Sequence, residues 1–99
     1  MKLTKLSEKC LSAMYKEYAD NDRINFEFDF FKKLFNESND KLNMAIITLS
    51  KNNLVSVLWA DDVAYNTTLL NEGIVYIESN PKLSKAMQTL KSIKDLLTW

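Results

Sequence analysis

The apolar positions of the chain change their spacing around residue 53, and the change predicts a helix followed by a β-ribbon. Ser38 suits a helix N-cap, because its hydroxyl can accept a hydrogen bond from a free amide of the first turn. After it, apolar residues recur at helical spacing: Leu42, Ala45, Ile46 and Leu49. Asn52 and Asn53 interrupt this period, so the helix is expected to end there.

The segment after this helix predicts a β-hairpin. Residues Leu54 to Trp59 and Val63 to Thr68 are rich in Val, Leu, Trp, Tyr and Thr, and most of these residue types favour strands. Asp61 and Asp62 stand between the two runs, where aspartate favours a turn. Asn53 is expected to adopt the left-handed conformation that often ends a helix. Helix, turn and hairpin are together the outline of a winged helix.

A first helix is predicted near the start of the chain. Its apolar side consists of residues at helical spacing: Leu3, Leu6, Cys10, Ala13 and Met14. Leu11 is expected at the edge of this stripe, and the polar run from Ala19 to Arg23 is expected to end the helix. Cys10 lies within the stripe and the chain has no histidine, so we interpret Cys10 as a buried apolar side chain rather than a reactive thiol.

The five phenylalanines of the next segment support two interpretations. Some are spaced as in a strand and some as on a helix face: Phe26, Phe28, Phe30, Phe31 and Phe35. We place a short extended segment at Arg23 to Phe26, an N-cap at Asp29 and a second helix at Phe30 to Asn36. Such a cluster could stack on bases, but phenylalanines at core spacing in a small domain are more often core, and we prefer that interpretation.

The last third of the chain predicts two further helices. One face of the first is apolar: Leu70, Ile74 and Ile77. Gly73 within this helix costs about 1 kcal/mol relative to Ala, which predicts a close approach of a neighbouring backbone. Asn80 as N-cap and Pro81 at the first helical position begin the last helix. The apolar stripe of this helix is Leu83, Ala86, Met87, Leu90, Ile93 and Leu97. Its lysines, which we interpret as a solvated face, are Lys82, Lys85, Lys91 and Lys94.

Composition fits one compact domain over residues 1–99, since this length permits a single core and one Gly and one Pro predict short connections. The predicted fold class is α+β, mostly helical: a winged helix-turn-helix with two C-terminal helices after the wing. The apolar helix faces predict a shared core: Leu6, Cys10, Met14, Phe31, Leu42, Ile46, Leu49 and Leu90.

The charge balance and the absence of known motifs exclude several classes of function. Thirteen basic and thirteen acidic residues create no overall field that would attract nucleic acid or a membrane surface. A single cysteine and no apolar run of membrane-spanning length predict a cytoplasmic protein. There is no histidine, cysteine pair or glycine-rich phosphate loop, so we expect no enzyme activity, no metal, no cofactor and no small-molecule substrate.

One local string resembles a known group of proteins. The segment from Thr68 to Ile77 resembles the Leu-Thr-x-x-Gly-x-x-Tyr-Leu element that follows the wing in many small prokaryotic winged-helix proteins. With the lysine-rich segment Lys82 to Leu97, the layout is similar to the YjcQ-type family of Firmicutes and their prophages. The resemblance implies a winged helix and no catalytic residues. Leu70 stands where the family often has a capping Thr, so the helix lacks a cap unless Thr67 or Thr68 supplies one.

The outer face of the third helix separates two functional hypotheses. It carries Asp40, Met44, Ile47 and Lys51. Base edges and phosphates are read mainly by Arg, Lys, Asn and Gln, so this set suits DNA poorly, and an acidic turn at Asp61 and Asp62 would repel phosphates. The apolar members of the face favour contact with another protein. The alternative is that the terminal helix covers Met44 and Ile47, which would make them core.

We therefore interpret the chain as a non-enzymatic winged-helix interaction module, and its resemblance to the YjcQ-type family implies an origin in a phage or prophage. It is predicted to bind a protein partner, such as a host factor that it regulates or inhibits, or a second copy of itself. The predicted contact residues are Met44, Ile47, Lys51, Trp59, Asp61 and Asp62. The second hypothesis is a DNA-binding transcriptional regulator that uses the third helix as its recognition helix. Its contacts would be Lys41, Asn43 and Lys51.

Overall fold

The computed structural model of the protein describes residues 3–89 and 93–98. Its elements follow one another in the predicted order, with a short 3-10 helix at the end: α1 (Lys5–Asn21), β1 (Asn25–Glu27), α2 (Phe28–Phe35), α3 (Asn39–Lys51), β2 (Val55–Ala60), β3 (Val63–Leu69), α4 (Asn71–Ser79), α5 (Pro81–Thr89) and the 3-10 helix Ile93–Thr98. The strands form one antiparallel sheet in the order β1-β3-β2. The fold is α+β and mostly helical.

Helix α1 begins and ends at specific capping interactions. The Thr4 side chain accepts a hydrogen bond from the Ser7 amide at 3.1 Å, and Asp22 ends the helix in the left-handed conformation with φ 57°. Cys10 is fully buried as predicted, and burial raises the pKa of its thiol to about 12. The thiol is therefore neither accessible nor ionised at neutral pH. Leu11, predicted at the edge of the stripe, is instead fully buried, because it faces Gly73 of α4.

The boundary between β1 and α2 differs from the prediction. Helix α2 begins at Phe28 rather than Phe30, and Glu27 rather than Asp29 occupies its N-cap, without a side-chain hydrogen bond. Asp29 lies within the first turn and forms an ion pair with Lys33, four residues on, at 3.0 Å. The prediction for Asp29 was wrong because a carboxylate near a helix N-terminus is favourable both as a cap and inside the first turn.

The phenylalanine cluster belongs to the core, which confirms the interpretation preferred from the sequence. Phe26, Phe31 and Phe35 are buried, and the other two phenylalanines pack half-buried against them. The guanidinium of Arg23 lies 4.7 Å from the Phe26 ring centroid and covers the cluster from the solvent side. Since Arg23 is the only arginine of the chain, no arginine is left for phosphate contacts elsewhere.

Helix α3 has the predicted ends. The Ser38 hydroxyl accepts a hydrogen bond from the Lys41 amide at 3.2 Å, and the helix ends at Lys51. Asn53 adopts the expected left-handed conformation, with φ 60°. The chain then turns directly into β2, and the Leu54 amide donates back to the Leu49 carbonyl at 3.1 Å. This connection fixes where the hairpin starts relative to α3.

Gly73 confirms the predicted close approach of a neighbouring backbone. A Cβ atom at this position would lie 2.5 Å from the carbonyl oxygen of Leu54 and 2.8 Å from Cδ1 of Leu69. Helix α4 has Leu70 at its N-cap and no side-chain cap. Thr68 does not supply one, because its hydroxyl donates to Asn25 at 2.6 Å. Helix α4 is thus positioned by backbone contact with the start of β2 rather than by capping.

The end of the chain departs from the predicted single helix. Asn80 caps α5 as predicted, since its side-chain oxygen accepts from the Leu83 amide at 3.3 Å, and Pro81 is the first helical residue. Helix α5 is described as far as Thr89, and the apolar stripe predicted to continue through Ile93 and Leu97 falls in a 3-10 helix instead. Leu90 and Lys91 lie outside the described residues.

The predicted core is largely confirmed. Six of its members are fully buried: Cys10, Met14, Phe31, Leu42, Ile46 and Leu49. Leu6 is only partly buried and packs against the edge of this core, because it lies close to the exposed start of α1. The eighth member, Leu90, is not described.

Thr67 provides a test of the core. Its side chain is fully buried, and its hydroxyl makes no hydrogen bond within residues 3–89 and 93–98. Thr67→Val keeps the β-branched shape and removes the unpaired hydroxyl, so we expect the free energy of unfolding to rise by about 1 kcal/mol. Chemical unfolding measures this. Thr68→Val is the matched control and should lower stability, because the Thr68 hydroxyl is bonded. A loss of stability in Thr67→Val would show that the Thr67 hydroxyl has a partner.

Candidate protein-contact surface

The outer face of α3 leaves Met44 open to solvent. Met44 is 60 % exposed, which rules out the alternative that this side chain is core. Ile47 is half-buried and Lys51 is exposed. Of the two apolar residues predicted on this face, Met44 is therefore the one with most of its surface available to a partner.

A groove lies beside Met44, between α3 and the start of α1. It has a volume of about 350 Å³. Its lining is Thr4, Leu6, Asp40, Lys41, Met44, Ala45 and Thr48. The exposed Met44 and the half-buried Leu6 give the groove its apolar surface, with Asp40 and Lys41 beside it. Such a groove suits an inserted apolar side chain better than a phosphate.

Lys41 and Asn43, predicted as nucleic-acid contacts, have other partners. The Lys41 ammonium lies 3.8 Å from the Glu37 carboxylate. Asn43 is half-buried, its side-chain amide donates to the Asp62 carbonyl at 2.9 Å, and its side-chain oxygen accepts from the Ala64 amide at 3.1 Å. Asn43 therefore uses both ends of its amide to hold the hairpin, and the hairpin runs back along α3. Asn43 therefore positions the hairpin, and its side-chain amide is not available for contacts with bases.

The turn of the hairpin is formed by two adjacent aspartates in the left-handed conformation. Asp61 has φ 52° and Asp62 has φ 62°, which is the pattern of a type I′ turn, where glycine or asparagine is more usual. Both side chains are exposed. Because Asp62 is bonded to Asn43, the acidic turn lies beside the half of α3 that carries Met44.

A β-bulge places further apolar side chains on the hairpin surface. Leu58 pairs with Asn66 and Trp59 with Ala64, so Tyr65 is an extra residue on β3. This shift of register turns Ala64 inward and Tyr65 outward. Leu58, Trp59 and Tyr65 are 61, 45 and 56 % exposed. Of these three residues, the sequence predicted only Trp59 as a contact residue. Strand alternation could have suggested Leu58, but no sequence pattern predicts the bulge that exposes Tyr65.

The structure brings some of the predicted site residues together and separates others. Met44 and the turn residues Asp61 and Asp62 lie on one side, joined through Asn43. Lys51 is at the other end of α3, about 12 Å along the helix axis from Asn43 at 1.5 Å per residue. The site is therefore two adjacent surfaces: the groove with Met44, and the outer edge of the hairpin with Lys51 at its base.

The charges of these surfaces are mixed and the described residues hold no metal-binding cluster. No group of three or more His, Cys, Asp and Glu side chains is placed to hold a metal ion in that part of the chain. Nor does any helix there combine the length and the apolar character needed to cross a membrane. Comparison of the chain with models of known families, with curated proteins and with solved structures found no match.

Proposed function

We propose that this protein is a winged-helix interaction module that binds a protein partner through the outer face of α3 and the hairpin turn. The observation that carries the proposal is Met44, 60 % exposed beside an apolar groove. A partner that inserts an apolar side chain into the groove and covers Met44 would bury this surface. Asp61 and Asp62 beside it favour a partner with basic residues around that side chain.

The order of elements and of strands supports the winged-helix assignment, with α3 in the position of a recognition helix and the β2–β3 hairpin as the wing. The surface chemistry favours protein over DNA. The turn is acidic and the single arginine covers the phenylalanine cluster. In line with the resemblance to YjcQ-type proteins, we further propose a phage or prophage origin, a cytoplasmic location and a host factor as partner, which the module regulates or inhibits.

Met44→Asp tests this proposal. Because Met44 is exposed, the substitution should change the free energy of unfolding by less than about 1 kcal/mol. It should weaken partner binding by about 1 kcal/mol or more, since it removes an apolar anchor. The measurement is capture of proteins from a Firmicutes lysate by the immobilised wild type and variants, followed by titration of the captured protein.

Val75→Asp is the matched control, because Val75 is 48 % exposed on α4 and lies outside the proposed surface. A partner that binds equally well to the wild type and to Val75→Asp, but more weakly to Met44→Asp, supports the proposal. The competing function is tested by titrating random duplex DNA across a salt series. Salt-dependent DNA binding that Lys41→Ala and Lys51→Ala weaken, with no protein captured, would establish the DNA-binding hypothesis instead.

A further inference from the structure

Strand β2 is an edge strand without the usual protection. In the described part of the chain it pairs with β3 alone, so its other edge presents unpaired backbone N–H and C=O groups. Its sequence, Val-Ser-Val-Leu-Trp-Ala, contains no charge, proline or glycine. Proteins commonly protect such edges with lysine, proline, bulges or short strands. The bulge in this hairpin does not interrupt β2, because the extra residue, Tyr65, belongs to β3.

The opposite edge of the sheet is different. Strand β1 has only three residues and carries the exposed Glu27, so its length and charge both discourage pairing with another strand. Strand β2 has six residues and exposes Leu58 and Trp59. The open edge and the exposed apolar side chains therefore coincide on one strand.

We propose that two copies of the chain associate through β2, in antiparallel orientation, about a two-fold axis that passes beside Leu58. An antiparallel two-fold pair in one continuous sheet keeps each side chain on its own face of the sheet. Leu58 then lies opposite Leu58 of the second copy, and Trp59 lies opposite Val57 of the second copy. The two sheets join, and the most exposed apolar side chain of the hairpin is buried against its own symmetry mate.

Charge at the two ends of the strand supports this arrangement. In this register the Asp61–Asp62 turn of one copy lies beside Leu54 and Val55 of the other, just after α3 ends at Lys51. Each acidic turn thus approaches a lysine, and the two turns lie at opposite ends of the interface. Within the described residues, the side chains of Lys51, Asp61 and Asp62 have no ion-pair partner of their own.

This inference goes beyond the proposed function and does not depend on it. Met44 and its groove lie on α3 beside the start of α1, whereas the interface between copies follows the free edge of β2. A pair of chains joined in this way would present two copies of the Met44 surface. The Asp61–Asp62 turn belongs to both surfaces, but Met44 lies outside the interface between copies and Leu58 lies outside the groove, so substitutions at Met44 and at Leu58 test the two surfaces separately.

Sedimentation equilibrium tests the association. We expect the wild type to reach twice the 11.5 kDa mass of one chain at micromolar concentrations. Leu58→Lys should raise the dissociation constant about 30-fold or more, because it places two lysines together on the axis. Val75→Lys, the same change at an exposed apolar position on α4, should leave the mass unchanged. Lys51→Glu should weaken the association, whereas Lys41→Glu should not.

Cysteine cross-linking tests the register. Directly opposed residues of antiparallel strands have Cβ atoms about 4.5–5.5 Å apart, so Leu58→Cys should form a disulfide between copies when a mild oxidant is added. Cys10 is buried and should not interfere. Ser56→Cys is the matched control: it lies on the same strand but opposite Ala60 of the second copy, so it should cross-link far more slowly.

Two results would overturn the proposal. One is a wild type that remains monomeric throughout the micromolar range. The other is a dimer with a different interface, which would be recognised because Leu58→Lys leaves it intact or because Ser56→Cys cross-links as fast as Leu58→Cys. Met44→Asp separates this test from that of the proposed function, because it should weaken partner binding and leave the mass of the pair unchanged.

Discussion

Gly73→Ala is expected to destabilise the protein by about 2 kcal/mol, although alanine is the better helix former by about 1 kcal/mol. The added methyl would lie 2.5 Å from the Leu54 carbonyl oxygen, and that oxygen already accepts the Leu70 amide at 3.1 Å. Backbone must move to make room, and it is the backbone that joins α3 to β2. Steric conflict therefore outweighs helix propensity.

Chemical unfolding of Gly73→Ala measures this loss directly. Val75→Ala is the matched control on the same helix, because Val75 is exposed and its replacement by the better helix former should leave stability equal or slightly higher. If Gly73→Ala were as stable as Val75→Ala, α4 could move away from Leu54 at little cost. The position of α4 would then not be set by its contact with the start of β2.

Asn43→Ala is expected to cost about 2–3 kcal/mol, since it removes two hydrogen bonds and leaves a buried donor unpaired. Among the described contacts outside the sheet, the side-chain oxygen of Asn43 is the only acceptor for the Ala64 amide, and the substitution removes it. Ala64 is fully buried. The turn also loses its link to α3, although its two aspartates are held in a conformation that favours glycine. The hairpin should therefore loosen before the helices do.

Amide hydrogen exchange distinguishes local from global effects of Asn43→Ala. We expect faster exchange at Ala64 and in the turn than the change in global stability alone would produce. Asn43→Asp should lie between the wild type and Asn43→Ala, because it keeps the acceptor for the Ala64 amide but loses the donor to Asp62. Unchanged exchange at Ala64 in Asn43→Ala would mean that strand pairing alone holds the hairpin.

The sequence predicted those boundaries of the fold that local chemistry determines. Ser38, Asn53 and Asn80 each act through a hydrogen bond or a backbone preference within a few residues, and each was located correctly. The start of α2 was misplaced, because Phe28 fits a strand and a helix equally well by spacing. Packing of α2 against the sheet decides between the two, and spacing does not describe that packing.

The site was predictable to the extent that it follows helix periodicity. Met44 lies opposite the buried stripe of α3 and is exposed as predicted. Asn43 was misjudged because its partners, Asp62 and Ala64, are separated from it by the whole of β2. The groove was missed for the same reason, since it requires the start of α1 to lie beside α3. The local spacing of apolar and polar residues does not predict contacts between segments that are far apart in the sequence.

The strand order β1-β3-β2 also constrains how the chain can fold while it is being synthesised. The middle strand, β3, is the last of the three to leave the ribosome, and it supplies the partner of both others. A nascent chain that has emerged only as far as Asp62 contains two strands that cannot yet pair within this sheet. Helices α1 to α3 can form early, but the sheet is completed only when residues 63–69 emerge, and α4 follows immediately. Until then both edges of β2 are unpaired, which is the condition under which a strand can pair with another chain instead of its own.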